Sequence, residues 1–256
     1  MPRGGPDATW LDRLLQTDRP EYTDRADVPD SVKQKVIAAL GYLGNRFGTH
    51  EANAQLIASM VDAIAEPRIL ELGAGHGQLS QRLLDVHPGA LVTITDVDPA
   101  LVANIAAGPL GAHPRATVRI MDATAIDAAE NSFDLVLFAA GFHHLPPAPA
   151  AKAIAEGTRV GARFVVIDGI RPSARELLVR SATLPPIVAA VMASSLRIPW
   201  AAIPPTVHDC FITCLRNYSR SAFEALAAAA DPVIDVEFPV TDRVENDDKP
   251  VIFARP

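Results

Sequence analysis

Arg68-Ile69-Leu70-Glu71-Leu72-Gly73-Ala74-Gly75-His76-Gly77 is an apolar run that ends in a glycine-rich turn. Its spacing predicts a buried strand that stops at the turn and a helix that opens just past it, over Gln78–Val86. Glycine tolerates the positive φ such a turn needs and, lacking Cβ, lets the backbone come close to a bound ligand. Dinucleotide-binding enzymes use a related loop spaced G-x-G-x-x-G; the G-x-G-x-G here weighs against NAD.

Outward from the turn, strand and helix alternate, as in a parallel sheet covered on both faces. Strands are expected at Arg68–Gly73, Leu91–Asp96, Thr117–Met121, Phe133–Ala139 and Phe164–Asp168, with further helices at Pro99–Ala106, Pro149–Glu156 and Ser221–Ala230. Val233–Val240 and Val251–Ala254 read as two more strands. The polar turn Asp242–Asp248 between them predicts a hairpin, which makes the final strand antiparallel. Ahead of the sheet, Ser31 caps a helix bearing Val36, Ile37, Leu40, Leu43 and Phe47. A second carries Leu56, Ile57, Met60, Val61 and Ile64 and stops at Pro67. Residues 1–30, rich in Pro, Asp and Arg, read as an N-terminal arm; 31–256 form one domain, with 171–220 as a lid.

Composition narrows the function. A net charge of −7 and the lack of any Lys/Arg cluster disfavour a nucleic-acid partner. The most apolar stretch, Thr183–Pro205, is interrupted by Pro185, Pro186, Arg197, Pro199 and Pro204. A spanning helix needs about 20 predominantly apolar residues, so this stretch is read as non-spanning. Met1–Asp12 holds no apolar signal core, and a cytoplasmic protein is expected. Cys210 and Cys214 stand four apart in an expected helix; they read as reduced, core-facing thiols, and no metal site is expected.

Two acidic strand ends follow the turn. Thr95-Asp96-Val97-Asp98-Pro99 closes the second strand, where a carboxylate can accept both hydroxyls of a ribose. Met121-Asp122-Ala123-Thr124 closes the third, where a carboxylate and an amide can hold an adenine edge. These segments, with Asn131–Leu137 and Phe142-His143-His144-Leu145, resemble motifs I to IV of class I S-adenosylmethionine-dependent methyltransferases. The resemblance implies a Rossmann-like α/β fold, with a mostly parallel seven-stranded sheet and an antiparallel last strand. It implies S-adenosyl-L-methionine as cofactor, with Gly73, Ala74, Gly75 and Gly77 around the methionine part and Glu71 near its amino group. Asp96 and Val97 then hold the ribose, Asp122 and Ala123 the adenine, and Ala139 completes the cofactor wall.

The acceptor is read from absences and from a second resemblance. Ala139-Ala140-Gly141-Phe142 stands where amino-methylating enzymes carry Asn/Asp-Pro-Pro-aromatic; it also offers no acid for a metal-dependent catechol enzyme. Neither cysteine follows a proline, as a cytosine C5 nucleophile does. Metal-free transfer to a small molecule remains. Pro29–Asn45, Phe142–Leu145, Val207–Ile212 and Leu215–Ser219 resemble a bacterial subgroup encoded beside type III polyketide synthases, distantly related to quinone-biosynthesis methyltransferases. Cys210 replaces that subgroup's usual Gly. The resemblance implies secondary metabolism and O-methylation of an apolar aromatic or polyketide-like acceptor. C-methylation of a quinone precursor, N-methylation of a small heterocycle, and a catalytically silent cofactor-binding partner protein are the alternatives.

A phenol ionises near pH 10, so a neutral histidine within reach assists its deprotonation. His208 and His144 are the candidate bases; His143, Asp168, Met192 and Trp200 are candidate acceptor contacts. Asp209 is given no role, since neighbouring residues on a helix diverge. Thr183–Pro205, including Leu196, is read as lining an apolar pocket. It also suits transient membrane contact, with Arg175, Arg180 and Arg197 as its basic rim. A monomer or homodimer is expected.

Overall fold

The computed structural model describes residues 1–195, 197–239 and 248–256. Leu196 and the expected hairpin turn, apart from its last residue Asp248, lie outside the described residues. In chain order, α1 spans Trp10–Leu14, α2 Asp30–Arg46 and α3 Thr49–Met60. Then come β1 (Arg68–Leu72), α4 (Gln78–Val86), β2 (Leu91–Asp96), α5 (Pro99–Ala107), β3 (Ala116–Ile120) and β4 (Leu135–Ala139). After α6 (Pro147–Val160) and β5 (Phe164–Gly169) the helices α7 (Ala174–Ala193), α8 (Ile203–Arg216) and α9 (Arg220–Ala230) follow in succession. The chain closes with β6 (Asp235–Glu237) and β7 (Asp248–Ala254).

These elements fall into two compact units, one of Met1–Leu43 with Gly169–Ala225, the other of Gly44–Asp168 with Leu226–Pro256. The second holds the sheet, ordered β3-β2-β1-β4-β5-β7-β6. Strands β1 to β5 pair in parallel and β7 is antiparallel to β6, as the sequence predicts. The central strands are apolar along their whole length because helices cover both faces: Ile69, Leu135, Leu137 and Val165 are fully buried. Ile57 of α3 and Leu83 of α4 pack into the same cluster. Each such side chain contributes about 1.5–3 kcal/mol on burial. Strand β4 starts two residues later than expected because the Asp134 carboxylate accepts the Arg68 N–H at 2.7 Å, leaving Phe133 in an isolated bridge to Gly161. Asp98 caps α5 through the Ala100 N–H at 2.8 Å, with Pro99 in the first helical turn.

In the first unit, residues 1–30 are less loose than their composition suggests. Arg3 is buried, donates to the Arg216 carbonyl at 2.5 Å and lies 4.9 Å over the Tyr218 ring. Arg171 donates to the carbonyls of Leu215 (2.7 Å) and Asp12 (3.1 Å), and Arg216 to Asp24 at 2.5 Å. Arg3 and Arg171 thus satisfy backbone carbonyls inside the unit, and Arg216 pairs with a carboxylate. Helix α2 begins at Asp30, so Ser31 lies within it. The helix buries Val36 and Ala39, while Leu40 and Phe47 of the expected apolar face are exposed.

The larger correction concerns α7. It runs unbroken through Pro185 and Pro186, the residues taken to interrupt it. These prolines have no N–H for the carbonyls of Ser181 and Ala182, four residues back. Ala182 is exposed, so solvent reaches the region where the helical bonds are missing. Among the described residues α7 is one helix long and apolar enough, by length and composition, to cross a membrane.

Candidate cofactor and proton-transfer site

The five parallel strands bring their C-terminal ends to one edge of the sheet, where open α/β sheets bind ligands. At the end of β1 the turn takes the left-handed conformation its glycines predict, with φ +63° at Gly73, +58° at Gly75 and +73° at Gly77. A Cβ on Gly73 would stand 2.8 Å from the Phe138 ring. The turn is tied to β2: the Ala74 N–H donates to the Thr95 carbonyl at 2.9 Å, and the Thr95 hydroxyl to the Glu71 carbonyl at 2.7 Å.

Asp96 completes this tie. Its Oδ2 accepts the Gly75 N–H and its Oδ1 the Asp98 N–H, each at 2.9 Å. The residue read as a ribose ligand thus also holds the glycine turn. An ionised carboxylate has roughly four lone-pair sites, so acceptor capacity remains for two hydroxyls. Burial pushes the Asp96 carboxyl up, against these backbone donors. Asp96→Ala is expected to weaken cofactor binding by about 2–4 kcal/mol, through lost charged hydrogen bonds and a loosened turn. Titration calorimetry reads this; an unchanged Kd removes Asp96 from the site.

Glu71 is buried and accepts a short hydrogen bond from the Ser80 hydroxyl. Burial pushes its carboxyl up to about 7. A buried acid so reluctant to ionise is suited to a cationic ligand group such as the ammonium of the methionine part. With a folded pKa raised from 4.5 to about 7, Glu71 favours the folded protein most below its unfolded pKa. That contribution is lost as pH rises through about 7. A bound ammonium pulls the pKa back down, so binding releases a proton. Cofactor affinity should therefore rise with pH, by about fivefold between pH 6 and pH 7. Calorimetry in buffers of differing ionisation enthalpy should detect the proton, and Glu71→Gln should abolish its release. The same release from the Gln variant would assign the proton elsewhere.

Asp122, past β3, is exposed, and its Oδ1 accepts the Thr124 N–H (2.8 Å) and hydroxyl (2.9 Å). Ala74, Ala123 and Ala139 are half-buried and Val97 is exposed. Next to Ala139, Ala140 holds φ +51°, with its N–H on the Ile167 carbonyl at 2.8 Å. A left-handed alanine is uncommon, and such residues concentrate at functional sites. The glycine pattern marks the first turn in the sequence; Ala140 carries no comparable signal.

The same edge carries a histidine–carboxylate pair. His143 follows β4 and Asp168 ends β5; both are buried. The His143 N–H donates to Asp168 Oδ2 at 2.9 Å, and its Nδ1 lies 2.9 Å from each carboxylate oxygen. With Nδ1–H donating, Nε2 is the basic nitrogen of the ring. The half-buried His144 sets its ring centre 4.3 Å from that of His143. The pairing shifts emphasis from His144 to His143, because the carboxylate orients the latter.

His208, Met192 and Trp200 belong to the first unit. His208 Nδ1 lies 2.9 Å from Asp209 Oδ1, which also accepts the Tyr22 N–H at 2.7 Å. The Tyr22 ring meets the imidazole edge-on at 4.9 Å. Asp209, given no role on sequence grounds, is therefore the orienting group of His208. Met192 is fully buried with Ala39, Ile198 and Ala202, which makes it core of its unit rather than an exposed contact. Trp200 is exposed. Cys210 and Cys214 are thiols, and burial pushes Cys210 up to about 12, leaving it inert.

The sheet order, the reversed last strand and the glycine turn with its acidic neighbours define a Rossmann-like methyltransferase fold. Residues 69–162 match the family model described as a methyltransferase domain. A malonyl-[acyl-carrier protein] O-methyltransferase of Paenibacillus sp. is 34% identical over 84 residues, 31% of this chain and 30% of the relative. A methyltransferase of Mycobacterium tuberculosis is 34% identical over 107 residues, 42% of each chain. The matched segments thus span less than half the length of these curated relatives. The structure of human N-acetylserotonin methyltransferase in complex with S-adenosylmethionine aligns with a TM-score of 0.61 over 96% of this chain and 65% of that one. At 15% identity this likeness concerns the fold alone.

Proposed function

We propose that this protein transfers a methyl group from S-adenosyl-L-methionine to the oxygen of a small apolar aromatic or polyketide-like acceptor. The observation that carries the reading is the Asp96 carboxylate clasping the Gly75 N–H on a left-handed glycine turn, with buried Glu71 on the same strand end. Glycines without Cβ, an acid for hydroxyls and an acid for an ammonium match the parts of that cofactor. Bound there, it supplies an electrophilic methyl on a sulfonium, and the protein's task is to hold the acceptor in line and take its proton.

His208 is the proposed proton acceptor. Its side chain is 38% exposed, against 6% for His143, and a base must reach the acceptor oxygen. His143 is the second reading, favoured by its bonds to Asp168. Oxygen as the methylated atom is supported by the O-methyltransferase among the relatives and by the absent amino-methylation motif. Labelled cofactor incubated with phenols, quinones and amines tests the proposal. Label is expected on phenol oxygen. Transfer only to carbon or nitrogen corrects the atom, and cofactor binding without turnover on any acceptor overturns the enzyme.

A further inference from the structure

We infer that the first unit docks on an anionic lipid surface through the outer face of α7 and the tryptophans beside it. Helix α7 packs on α8 and buries Leu177 and Met192. On its other side Leu178, Val179 and Ile187 are 48%, 56% and 57% exposed, with Ala182 and Pro186 between them. Both tryptophans of the chain belong to this unit, and both lie open: Trp10 at 76% and Trp200 at 75%. Arg171, just before α7, holds α1 by the Asp12 carbonyl, so Trp10 and exposed Leu14 are tethered near the start of α7. Amphipathic tryptophans and aliphatic side chains suit the boundary between headgroups and acyl chains.

Charge selects the occupant. Of the six arginines in residues 171–220, Arg171 and Arg216 are buried, whereas Arg175 and Arg197 are exposed and Arg180 is half-buried; the acids of this stretch are Glu176 and Asp209. Asp209 is buried, and Glu176 caps α7 through the Ser173 hydroxyl at 2.8 Å. At the start of the helix a groove of about 410 Å³ is lined by Ser173, Arg175, Glu176, Val179 and Arg180. Two guanidinium groups beside an apolar stripe match a phosphate headgroup above its chains. Leu177 and Met192 hold one side of the helix against the unit, which suits a helix lying on a surface rather than spanning. At headgroup level, water can serve the Ser181 and Ala182 carbonyls that Pro185 and Pro186 leave without helical donors.

The inference is independent of the acceptor, because its test reads binding. The full chain is sedimented with phosphatidylcholine vesicles and with vesicles containing phosphatidylglycerol. Binding to the anionic vesicles, weakening with salt and with a blue shift of tryptophan emission, is the expected result. A Val179→Asp, Ile187→Asp variant with unchanged circular dichroism should bind about tenfold or more weakly. Failure to bind anionic vesicles, or equal binding by the variant, overturns the inference. A homodimer that the two substitutions dissolve would assign the face to a second copy instead.

Discussion

Turnover of a weakly acidic phenol is expected to fall roughly 10²–10⁴-fold when His208 is replaced by alanine, the usual range for loss of a general base. The motivation is geometric: Nδ1 is committed to Asp209 and Tyr22 braces the ring, so Nε2 is the nitrogen able to take a proton. Cofactor affinity should not change, because the glycine turn, Glu71 and Asp96 belong to other loops in the other unit. Phenols acidic enough to be ionised at neutral pH need no base, so the deficit should shrink as acceptor acidity rises. Asp209→Asn should give an intermediate loss, since an amide cannot enforce the same tautomer. Two outcomes discriminate. Wild-type turnover in His208→Ala, with the loss appearing in His143→Ala, places the base on the His143–Asp168 pair. An equal loss across phenols of every acidity makes His208 a positioning residue.

Gly75→Val is expected to remove cofactor binding while leaving the sheet folded. Gly75 sits at φ +58°, where a β-branched residue is a severe outlier. The turn must move to relieve the strain, and in moving it breaks the Gly75–Asp96 hydrogen bond that shapes the cradle. A loss of affinity of about 10²-fold or more follows from the strain and the misplaced amide together. Gly75→Ala, with a smaller penalty of about 1–2 kcal/mol in this conformation, should fall between parent and valine. Calorimetry reads the affinities and circular dichroism the fold. A valine variant that binds as the parent does would mean the turn is not the cofactor site.

The sheet and its turn were legible because their signals are local. A strand buried on both faces must be apolar throughout, a left-handed turn needs glycine, and Asp98-Pro99 announces a helix start. Pairings made by the tertiary fold were not. His143 and Asp168 lie on separate strand ends that meet only because β4 and β5 are neighbours. Adjacent residues on a helix point about 100° apart, which argued against His208 and Asp209 meeting. The imidazole nonetheless leans across to a carboxylate that the Tyr22 N–H holds in place. Helix α7 misled for a related reason. A double proline costs a helix about 3 kcal/mol or more per residue. Packing against α8 can offset that cost, but it is invisible in the α7 sequence alone.

The strand order also sets a timetable. Strand β6 reaches the sheet only through β7, which the ribosome makes after it. Until residues 248–254 emerge, β5 presents a raw edge and β6 has no neighbour to join. The cofactor-side strands β1 to β5 can assemble during synthesis, so the ligand edge is drafted early and the opposite flank is sealed last. The interval between those events is when the nascent chain offers a growing sheet to any other strand nearby.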